Sequence, residues 1–461
     1  MNIRILHTND IHSRFEVFSK IVSKIRELKN HNTLILDAGD FNDFMRIEVQ
    51  GTSGKAGCSL LNMAGYDAIA VGNNEGFAGV EILETMTSTE LIPFLSCNLY
   101  KDDMTYIKNL KRSIIIERGG FKFLIIGTTP PYNEFFSLSN MYASNPIEAI
   151  KMEIENNKGK YDICIVLSHS GINEDLLFAE KLDGIDVIIG GHSHTLMESP
   201  KMVNGTIIHQ SGKYAEHLGV LDIEIKDGRI VDFSGENIEI ENIIEDINIT
   251  KEILNQKGIA IETLSKPLYK IDCDIWHDVV EENPMTNFLA DALKDIIPCD
   301  LSIINSGVIN GGIRKGDVSN KKLLEIGPSP LNPTYMEIKG KYIKEALSLS
   351  LQAEVCLQDG KGPGFRGKYL GKLHVSGAII EHNGKDILSV KLKDGNLEDQ
   401  KIYKVATSDY LQRGTGYKSL SNNKNEKYNS EYIRDVLREY LDKKIFLEKC
   451  FIDRWIRQED M

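Results

Sequence analysis

Short apolar strand patterns alternate with amphipathic helix patterns through the first half of this chain of 461 residues. This alternation constrains the fold more than any other feature. The strand patterns include IRILHT, TLILDA, DAIAVG, FKFLIIG, DICIVLS and DVIIGG. Helix patterns such as SKIVSKIRELK, VEILETMTS and PIEAIKMEIENN lie between many of them. Strands that alternate with helices favour a layered α/β domain, so α/β is the fold class predicted here.

The pattern changes twice along the rest of the chain. It first turns to strands in GVLDIEIKDGRIVDFSG, where Asp227-Gly228 predicts a hairpin turn. It then becomes polar and helical, which predicts a linker helix between two domains. We predict a first domain at 1–242, the linker helix at 243–272 and a second, α+β domain at 273–461. Within the second domain, the polar segment SLSNNKNEKYNS predicts a loop.

Charge and apolar patterning exclude some classes of partner. The formal net charge is −13, and an acidic surface repels nucleic acid and anionic membranes. A small anionic substrate would therefore need local positive charge, which metal ions could supply. The apolar runs are too short to cross a bilayer, and no signal peptide is recognised at the amino terminus. Seven scattered cysteines without a CxxC pair favour reduced thiols and a cytoplasmic protein.

Polar side chains follow the apolar strand patterns at several separate places. In open α/β sheets, ligands bind beyond the carboxyl ends of the strands, so these side chains could converge on one site. Each one alone is more typical of a turn, a helix cap or an ordinary histidine. Their recurrence on consecutive strand–helix units indicates a shared function. Oxygen and imidazole groups without a thiolate suit Mn, Fe, Zn or Co. The residues are Asp10, His12, Asp37, Asp40, Asn73, Asn74, Glu75, His169, His192 and His194.

Five motifs, in order, resemble a known family. ILHTNDIHSRFE, LDAGD, VGNNE, LSHSG and GGHSHT resemble the calcineurin-like metallophosphoesterases, and within them the two-domain 5′-nucleotidase and UDP-sugar hydrolase family. The resemblance covers nearly the whole chain. It implies a four-layer metallophosphoesterase domain followed by an α+β nucleotidase C-terminal domain. It also implies a metal-dependent hydrolase that cleaves phosphoester or phosphoanhydride bonds of nucleotides or nucleotide sugars and acts in nucleotide catabolism.

The resemblance also implies a role for individual residues. It implies two divalent ions, whether Mn, Zn, Fe, Co or Mg, and a water between them that attacks phosphorus in line. Asp37 is expected to support the site rather than bind metal. The candidate catalytic residues are Asp40, His169 and Asn74. The implied ligands are Asp10, His12 and His194 for the first metal, Asn73, His169 and His192 for the second, and Asp40 as a bridge.

The third motif departs from the family pattern. The family has G-N-H-E-x-D, whose histidine and aspartate assist phosphoryl transfer, whereas this chain has Asn74 and Phe77 at those positions. An asparagine amide can donate a hydrogen bond but cannot release a proton near neutral pH. General acid catalysis contributes on the order of 10²–10⁴-fold and matters most for poor leaving groups. The hypothesis is a preference for diphosphate anhydrides or activated esters over nucleoside monophosphates. Alternatively, His217 replaces the missing acid.

The second domain resembles the family's nucleotide-recognition domain in NPMTNFLADAL, INSGVINGGIRKGDVS and VATSDYLQRGTGY. Asn310 stands where the family often has an arginine, and the turn at 328–331 lacks the expected base-stacking phenylalanine. Losing a guanidinium and an aromatic ring predicts weaker nucleotide binding. Tyr410 could be a second stacking ring or an ordinary packed residue. The candidate substrate contacts are Asn305, Tyr410, Arg413 and Gly414.

Two further functions remain open from sequence. The missing histidine and aspartate favour a metal- and nucleotide-binding protein with little turnover, whereas the complete set of seven ligand positions favours an enzyme. The same metal centre could also support a nucleotide phosphodiesterase. In each case the expected partner is a small phosphorylated molecule, and the oligomeric state is left open.

Overall fold

The computed structural model describes residues 1–362 and 364–458, which form two compact units. The first unit is Met1–Thr263, and the second begins at Leu264. Within the described residues, no helix combines the length and apolar character needed to cross a membrane. The domain boundaries drawn from the sequence stay predictions.

The first unit contains the alternating strands and helices that the sequence predicts. Its strands are β1 (Asn2–Thr8), β2 (Thr33–Asp37), β3 (Ala68–Ala70), β4 (Phe94–Leu95), β5 (Leu99–Lys101), β6 (Ser113–Arg118), β7 (Phe121–Thr128), β8 (Met141–Ala143), β9 (Ile163–Ser168), β10 (Val187–Gly190), β11 (Lys201–Val203), β12 (Thr206–His209), β13 (His217–Lys226) and β14 (Arg229–Glu239). Its helices are α1 (Phe15–Leu28), α2 (Ile47–Thr52), α3 (Lys55–Ala64), α4 (Asn73–Phe77), α5 (Val80–Thr87), α6 (Asn133–Phe136), α7 (Pro146–Asn156), α8 (Ile172–Lys181) and α9 (Ile247–Leu264).

Two sheets form the centre of this unit. One has the strand order β14-β13-β1-β2-β3-β4, and the other has β11-β12-β10-β9-β7-β6. The strands β1, β2, β3 and β4 run parallel to one another, as do β7, β9, β10 and β12. Parallel strands share the edge at which they end, so the segments that follow them lie close together.

Three apolar clusters show that the layers are helix, sheet, sheet and helix. Between the sheets, Ile5 of β1 and Leu36 of β2 belong to the same buried cluster as Ile165 of β9. On the outer face of the first sheet, the alternate residue Leu6 packs in a cluster with α1. On the outer face of the second sheet, Val166 packs in a cluster with α7 and α8. Strands buried on both faces explain the continuous apolar runs of the sequence. The predicted four-layer α/β architecture is confirmed.

The second unit has α+β character around one core. Its strand orders are β19-β16-β23-β18-β24, β22-β21-β20-β25 and β15-β17. The elements are β15 (Pro267–Ile271), α10 (Pro284–Ile296), β16 (Leu301–Asn305), β17 (Gly316–Ser319), α11 (Asn320–Ile326), β18 (Pro333–Lys339), α12 (Gly340–Leu349), α13 (Ala353–Cys356), β19 (Leu373–Ser376), β20 (Ala378–His382), β21 (Ile387–Leu392), β22 (Gly395–Asn396), β23 (Ile402–Ser408), α14 (Asp409–Gln412), β24 (Asn423–Tyr428), α15 (Ile433–Tyr440), α16 (Lys444–Lys449) and β25 (Trp455–Arg457).

Two local predictions have opposite outcomes. The hairpin is confirmed: Lys226 of β13 pairs with Arg229 of β14, and Asp227 and Gly228 between them have φ of 52° and 72°. Positive φ at both turn residues is what this tight hairpin geometry requires. The polar loop prediction is wrong, because SLSNNKNEKYNS contains β24, which pairs with β18 at the edge of its sheet. An edge strand is held by backbone hydrogen bonds and can carry polar side chains on both faces.

Candidate metal centre

The side chains that follow the parallel strands of the first unit converge at one edge. Two groups of ligand atoms each lie within 4.8 Å of one another. The first group is Asp10, His12 and His194, and the second is Asp10, Asp40 and His169. They come from the segments after β1, β2, β9 and β10. The structure brings these five predicted residues together at the carboxyl ends of the strands, whereas His192 belongs to neither group.

Asp10 has one oxygen that is held in place and one that is free. Its Oδ2 accepts hydrogen bonds from the His192 backbone N–H at 2.8 Å and from the Asn9 side chain at 2.7 Å. Its Oδ1 is buried and has no hydrogen-bond partner among the described residues. That oxygen lies 3.3 Å from His194 Nε2 and 3.7 Å from His12 Nε2. The fixed oxygen therefore orients the free one towards the two imidazoles.

Asp40 lies between the two groups. Its Oδ2 is 3.3 Å from His169 Nε2 and 3.8 Å from His12 Nε2. Asn74 holds the carboxylate from the other side, because its backbone N–H donates to Oδ1 at 2.8 Å and its side chain donates to Oδ2 at 2.7 Å. This placement is compatible with a carboxylate that bridges two cations.

Hydrogen bonds fix which nitrogen of two histidines can act as a ligand. His169 Nδ1 lies 2.7 Å from the Ala38 carbonyl oxygen. A carbonyl only accepts, so Nδ1 carries a proton and Nε2 is the ring nitrogen that faces the site and would bind a metal. In His192 it is Nε2 that already has a hydrogen-bond partner, because it lies 2.6 Å from the Tyr132 hydroxyl. The nitrogen of His192 that remains for a metal is Nδ1.

Buried polar atoms without partners show that the site fits divalent cations. Asp10 Oδ1, His169 Nε2 and Asn73 Oδ1 are buried with no hydrogen-bond partner among the described residues. An unpaired buried polar atom costs about 1–3 kcal/mol, and a metal ion would remove that cost. Burial alone would lower the pKa of His169, but Asp40 and Asp10 outweigh it and raise the pKa to about 10. The carboxylates therefore attract positive charge at the point where a metal would sit.

The backbone at most of the predicted ligands is strained. Left-handed φ values are uncommon in residues other than glycine and cluster at functional sites. Such conformations cost on the order of 1–3 kcal/mol each, so the surrounding structure must hold them in place. The ligands concerned, with their φ values, are Asp10 at 52°, His12 at 47°, Asp40 at 54°, His192 at 69° and His194 at 56°.

Two glycines and one glutamate allow the ligand segments to approach closely. A Cβ at Gly72 would lie 2.1 Å from Asp40 Oδ1, and one at Gly39 would lie 2.8 Å from His169 Nδ1. Only glycine leaves space for the carboxylate and the imidazole. The buried Glu75 carboxylate accepts backbone N–H bonds from Gly72 at 3.0 Å and from Asp40 at 3.1 Å. It thereby ties the start of α4 to the segment after β2.

Asn74 and Phe77 take the places of the family's histidine and aspartate, and both have local partners. Asn74 Nδ2 lies 2.7 Å from Asp40 Oδ2 and 3.1 Å from His12 Nδ1, so the amide braces two predicted ligands. The ring of Phe77 packs against Phe136 and Phe135 of α6, with centroids 5.1 and 5.8 Å apart. An aromatic cluster therefore fills the space near the position of the expected carboxylate.

Two tyrosines at the site are not among the residues predicted from the sequence. Tyr132 follows β7 and contacts His192 through its hydroxyl. The ring centroid of Tyr214 lies 5.6 Å from that of His12 and 6.0 Å from that of His194. Tyr132 had a detectable signal, since it follows a strand pattern like the other site residues. Tyr214 gave no comparable signal, because a tyrosine in SGKYAEH is typical of any surface turn.

Two other residues considered from the sequence lie differently. Asp37 is fully buried, where it accepts hydrogen bonds from the Thr8 hydroxyl at 2.6 Å and from the Gly39 N–H at 2.8 Å. Burial raises the pKa of Asp37 well above its usual value, and the two hydrogen bonds tie this carboxyl to the loop rather than to the ligand groups. His217 begins β13 and makes no hydrogen bond or ring contact with a predicted ligand in the described chain.

The predicted substrate contacts lie in the second unit and are mostly engaged. Asn305 is buried and donates to the Leu370 carbonyl oxygen at 2.6 Å. Arg413 pairs with Asp409 at 2.8 Å. Tyr410 is 1% exposed, because Phe365 stacks on its ring at 4.6 Å with an interplanar angle of 23°. A base could reach Tyr410 only after Phe365 moved. The role of all four predicted residues, including Gly414 at φ 76°, stays a prediction.

Comparison with known proteins adds family relationships to this geometry. The calcineurin-like phosphoesterase family model matches residues 3–196, and the 5′-nucleotidase C-terminal domain model matches residues 260–422. An uncharacterized metallophosphoesterase, YunD of Bacillus subtilis, is 31% identical, with 94% of this chain and 98% of the relative covered. The trifunctional nucleotide phosphoesterase YfkN of the same organism is 27% identical over 90% of this chain, which spans 32% of that protein. The Haemophilus influenzae NAD nucleotidase structure shares the fold, with a TM-score of 0.68, 20% identity and 96% of each chain covered.

Proposed function

Because this chain belongs to the calcineurin-like metallophosphoesterases that carry a 5′-nucleotidase C-terminal domain, we propose that it hydrolyses phosphoester or phosphoanhydride bonds of nucleotides or nucleotide sugars. Metal-dependent phosphoester hydrolysis is the chemistry of the family, and the protein is a hydrolase of this class that uses two divalent metal ions. The observation that carries the proposal is the convergence of buried, unpaired ligand atoms at the ends of the parallel strands.

Seven side chains would hold the two ions. The first would be bound by Asp10, His12 and His194, the second by Asn73, His169 and His192, with Asp40 shared. When bound, such ions polarise phosphoryl oxygens and lower the pKa of a nearby water. The protein contributes a fixed geometry, because left-handed backbone and hydrogen bonds donated by Asn9 and Asn74 hold the ligands before substrate arrives. The Ala38 carbonyl oxygen, which accepts from His169 Nδ1, holds a further ligand.

Asn74 limits which leaving groups can be released, because it cannot protonate them. Its amide donates to Asp40 and lies beside His12, so it orients ligands and supplies no proton. Phe77 cannot act as the acidic partner of a proton donor either. A phosphate leaving group from an anhydride needs protonation much less than an alkoxide does. The proposed substrates are therefore diphosphate anhydrides, such as nucleotide sugars, or activated esters.

Two alternatives are separated from this proposal by the same assay. A binding protein would retain metal but release no product from any substrate. A phosphodiesterase would cleave bis-p-nitrophenyl phosphate faster than the anhydride of a UDP-sugar. The loss of the family's histidine and aspartate, at Asn74 and Phe77, favours the binding protein, whereas the hydrogen bonds that hold the predicted ligands in place favour an enzyme.

The test is a substrate panel with the purified chain loaded with Mn²⁺. Product release is measured from AMP, a UDP-sugar, p-nitrophenyl phosphate and bis-p-nitrophenyl phosphate. Asp40→Asn serves as the control, because it removes charge from the shared carboxylate. We expect the UDP-sugar to be cleaved faster than AMP and the control to lose activity. Equal or better use of AMP would contradict the anhydride preference, and no turnover of any substrate would contradict the proposed function.

A further inference from the structure

We propose that Arg14, Tyr214 and Lys213 form a cationic shelf beside the metal centre that binds the non-reacting phosphate of a diphosphate substrate. The inference rests on the proposed function, because it places the reacting phosphate at the predicted metal ligands. It assigns substrate recognition to residues of the first unit that are not themselves metal ligands.

Two cations meet at one aromatic ring next to the site. The Arg14 guanidinium carbon lies 5.1 Å from the centroid of the Tyr214 ring, and Lys213 Nζ lies 4.8 Å from it. Both distances are within the range of cation–π attraction. The same ring lies 5.6 Å from the His12 ring. One tyrosine therefore holds two positive charges close to a predicted metal ligand.

The backbone fixes this ring relative to the site. The Tyr214 N–H donates to the Asp10 carbonyl oxygen at 2.8 Å, which ties the shelf to a predicted metal ligand. Tyr214 and the buried Ala215 have φ of 58° and 59°. Two consecutive left-handed residues that are neither glycine nor asparagine are uncommon, and such strain accompanies functional positions.

Neither cation of the shelf forms an ion pair within the described chain. By contrast Glu16, two residues after Arg14, pairs with Arg46 at 2.8 Å. Arg14 is exposed and Lys213 is half-buried, so both can reach a ligand. In a protein of net charge −13, two cations without an ion-pair partner supply positive charge beside the predicted metal centre. Exposed positive charge of this kind attracts anions.

The chemistry of the shelf suits phosphate. A guanidinium can bind two phosphate oxygens at once, and an ammonium acts as a compact point charge. A monoester places its single phosphate at the metal ions and has nothing further for the shelf to bind. A diphosphate carries a second phosphate one bridging oxygen away. The shelf would also stabilise negative charge on a phosphate leaving group, which Asn74 cannot protonate.

The experiment measures binding to the Mn²⁺-loaded full chain by calorimetry, with methylenediphosphonate and orthophosphate as probes. Methylenediphosphonate has a carbon bridge and cannot be hydrolysed. The test variant is Arg14→Gln/Lys213→Gln. The control is Arg229→Gln/Lys251→Gln, which removes two exposed cations of the same unit and changes the net charge equally. Bound Mn²⁺ is measured in each protein, and we expect all three to retain it.

We expect the test variant to bind methylenediphosphonate roughly 10- to 100-fold more weakly, because charged hydrogen bonds to phosphate are lost. Orthophosphate binding should change by less than about threefold, as should both affinities of the control. Equal losses for the two probes, no loss for either, or no preference of the wild type for the diphosphonate would overturn the shelf. Because binding is measured without turnover, this result is independent of the substrate panel.

Discussion

Asn74 holds two neighbouring side chains in place at a position where the family has a proton-donating histidine. A histidine there would be a proton donor, whereas the asparagine amide bonds to Asp40 and lies 3.1 Å from His12. Both neighbours are predicted ligands, one from each of the segments after β2 and β1. The side chain therefore holds two predicted ligands in place. Unlike a histidine, it cannot take part in proton transfer.

Removing that brace should weaken metal binding. For Asn74→Ala we expect the affinity for Mn²⁺ to fall by about 10- to 100-fold, which is the usual cost of losing a hydrogen bond that orients a ligand. Competition with a chelator of known affinity measures it. Asn156→Ala, an exposed change on α7, is the matched control and should have no effect. Unchanged affinity in Asn74→Ala would show that Asp40 and His12 hold their positions without it.

Tyr132 should act on the same quantity through His192. Its hydroxyl lies 2.6 Å from His192 Nε2, which leaves Nδ1 as the ring nitrogen that would bind a metal. Tyr132→Phe removes the hydroxyl alone, so we expect the second Mn²⁺ to bind about 10-fold more weakly while the first is retained. Metal titration followed by electron paramagnetic resonance distinguishes coupled from single ions. Tyr142→Phe is the control, because the two tyrosines are exposed to a similar degree, 42% and 41%. Equal behaviour of the two variants would refute the role.

The position of a residue relative to the secondary-structure elements decides whether its place in the site can be predicted from the sequence. A location at the edge of the sheets was predictable for Asp10, Asp40, His169 and His192. Each follows a strand pattern, and parallel strands end at a shared edge. Tyr214 reaches the site only through the folding of a distant segment beside β1, and no local pattern encodes such a contact. The strand β24 was missed for another reason: backbone pairing with β18 determines it, and its polar side chains carry no strand signal.

A buried carboxyl of helix α8 is linked by hydrogen bonds to the segment that carries His192 and His194. Asp175 Oδ2 accepts from Gln210 at 2.7 Å, and Gln210 accepts from the Ser193 hydroxyl at 3.0 Å. Ser193 lies between His192 and His194 in the chain. Burial raises the pKa of Asp175 to about 7 from a usual 3.8. The folded protein therefore holds this proton up to near neutral pH, whereas the unfolded chain releases it above about pH 4.

Replacing this carboxyl should change how stability depends on pH. A raised folded-state pKa gives stability that is present below the unfolded pKa and is lost as pH rises through the folded pKa. Asp175→Asn does not titrate, so we expect its stability relative to the wild type to rise between about pH 4 and pH 7. The total gain should be on the order of 1–4 kcal/mol. Thermal unfolding of chelator-treated protein across this range measures it, with exposed Asp183→Asn as the control. A constant difference across the range would contradict the burial of an uncharged carboxyl.

The two units of the molecule differ in how well their candidate site residues can be predicted from the sequence. In the first unit, five of the seven predicted ligands lie in two compact groups, namely Asp10, His12, Asp40, His169 and His194. In the second, the sequence pointed to a missing stacking ring, yet Phe365 from a glycine-rich loop stacks on Tyr410. The family resemblance could not reveal this, because the ring comes from a different segment than the expected turn. Which aromatic rings contact a nucleotide is therefore a question of loop conformation rather than of composition.

Metal removal should affect the two units unequally. The predicted ligands span Asp10 to His194 and all lie in the first unit, whereas both tryptophans, Trp276 and Trp455, lie in the second. A ligand present at 100 times its Kd stabilises the folded state by about 2.7 kcal/mol, and a chelator removes that contribution. We therefore expect chelation to lower the thermal midpoint measured by circular dichroism and to shift the tryptophan-emission midpoint less.

The variant Asp40→Asn separates metal binding from other effects of the chelator. It lacks the charge that the two ions would share, so its unfolding should respond little to Mn²⁺ or to chelation. If chelation left the thermal midpoint of the wild type unchanged, metal binding in the first unit would be contradicted. Ions held by seven side chains cannot leave the folded state without loss of stability. A response in Asp40→Asn as large as in the wild type would place the stabilising ion elsewhere in the chain.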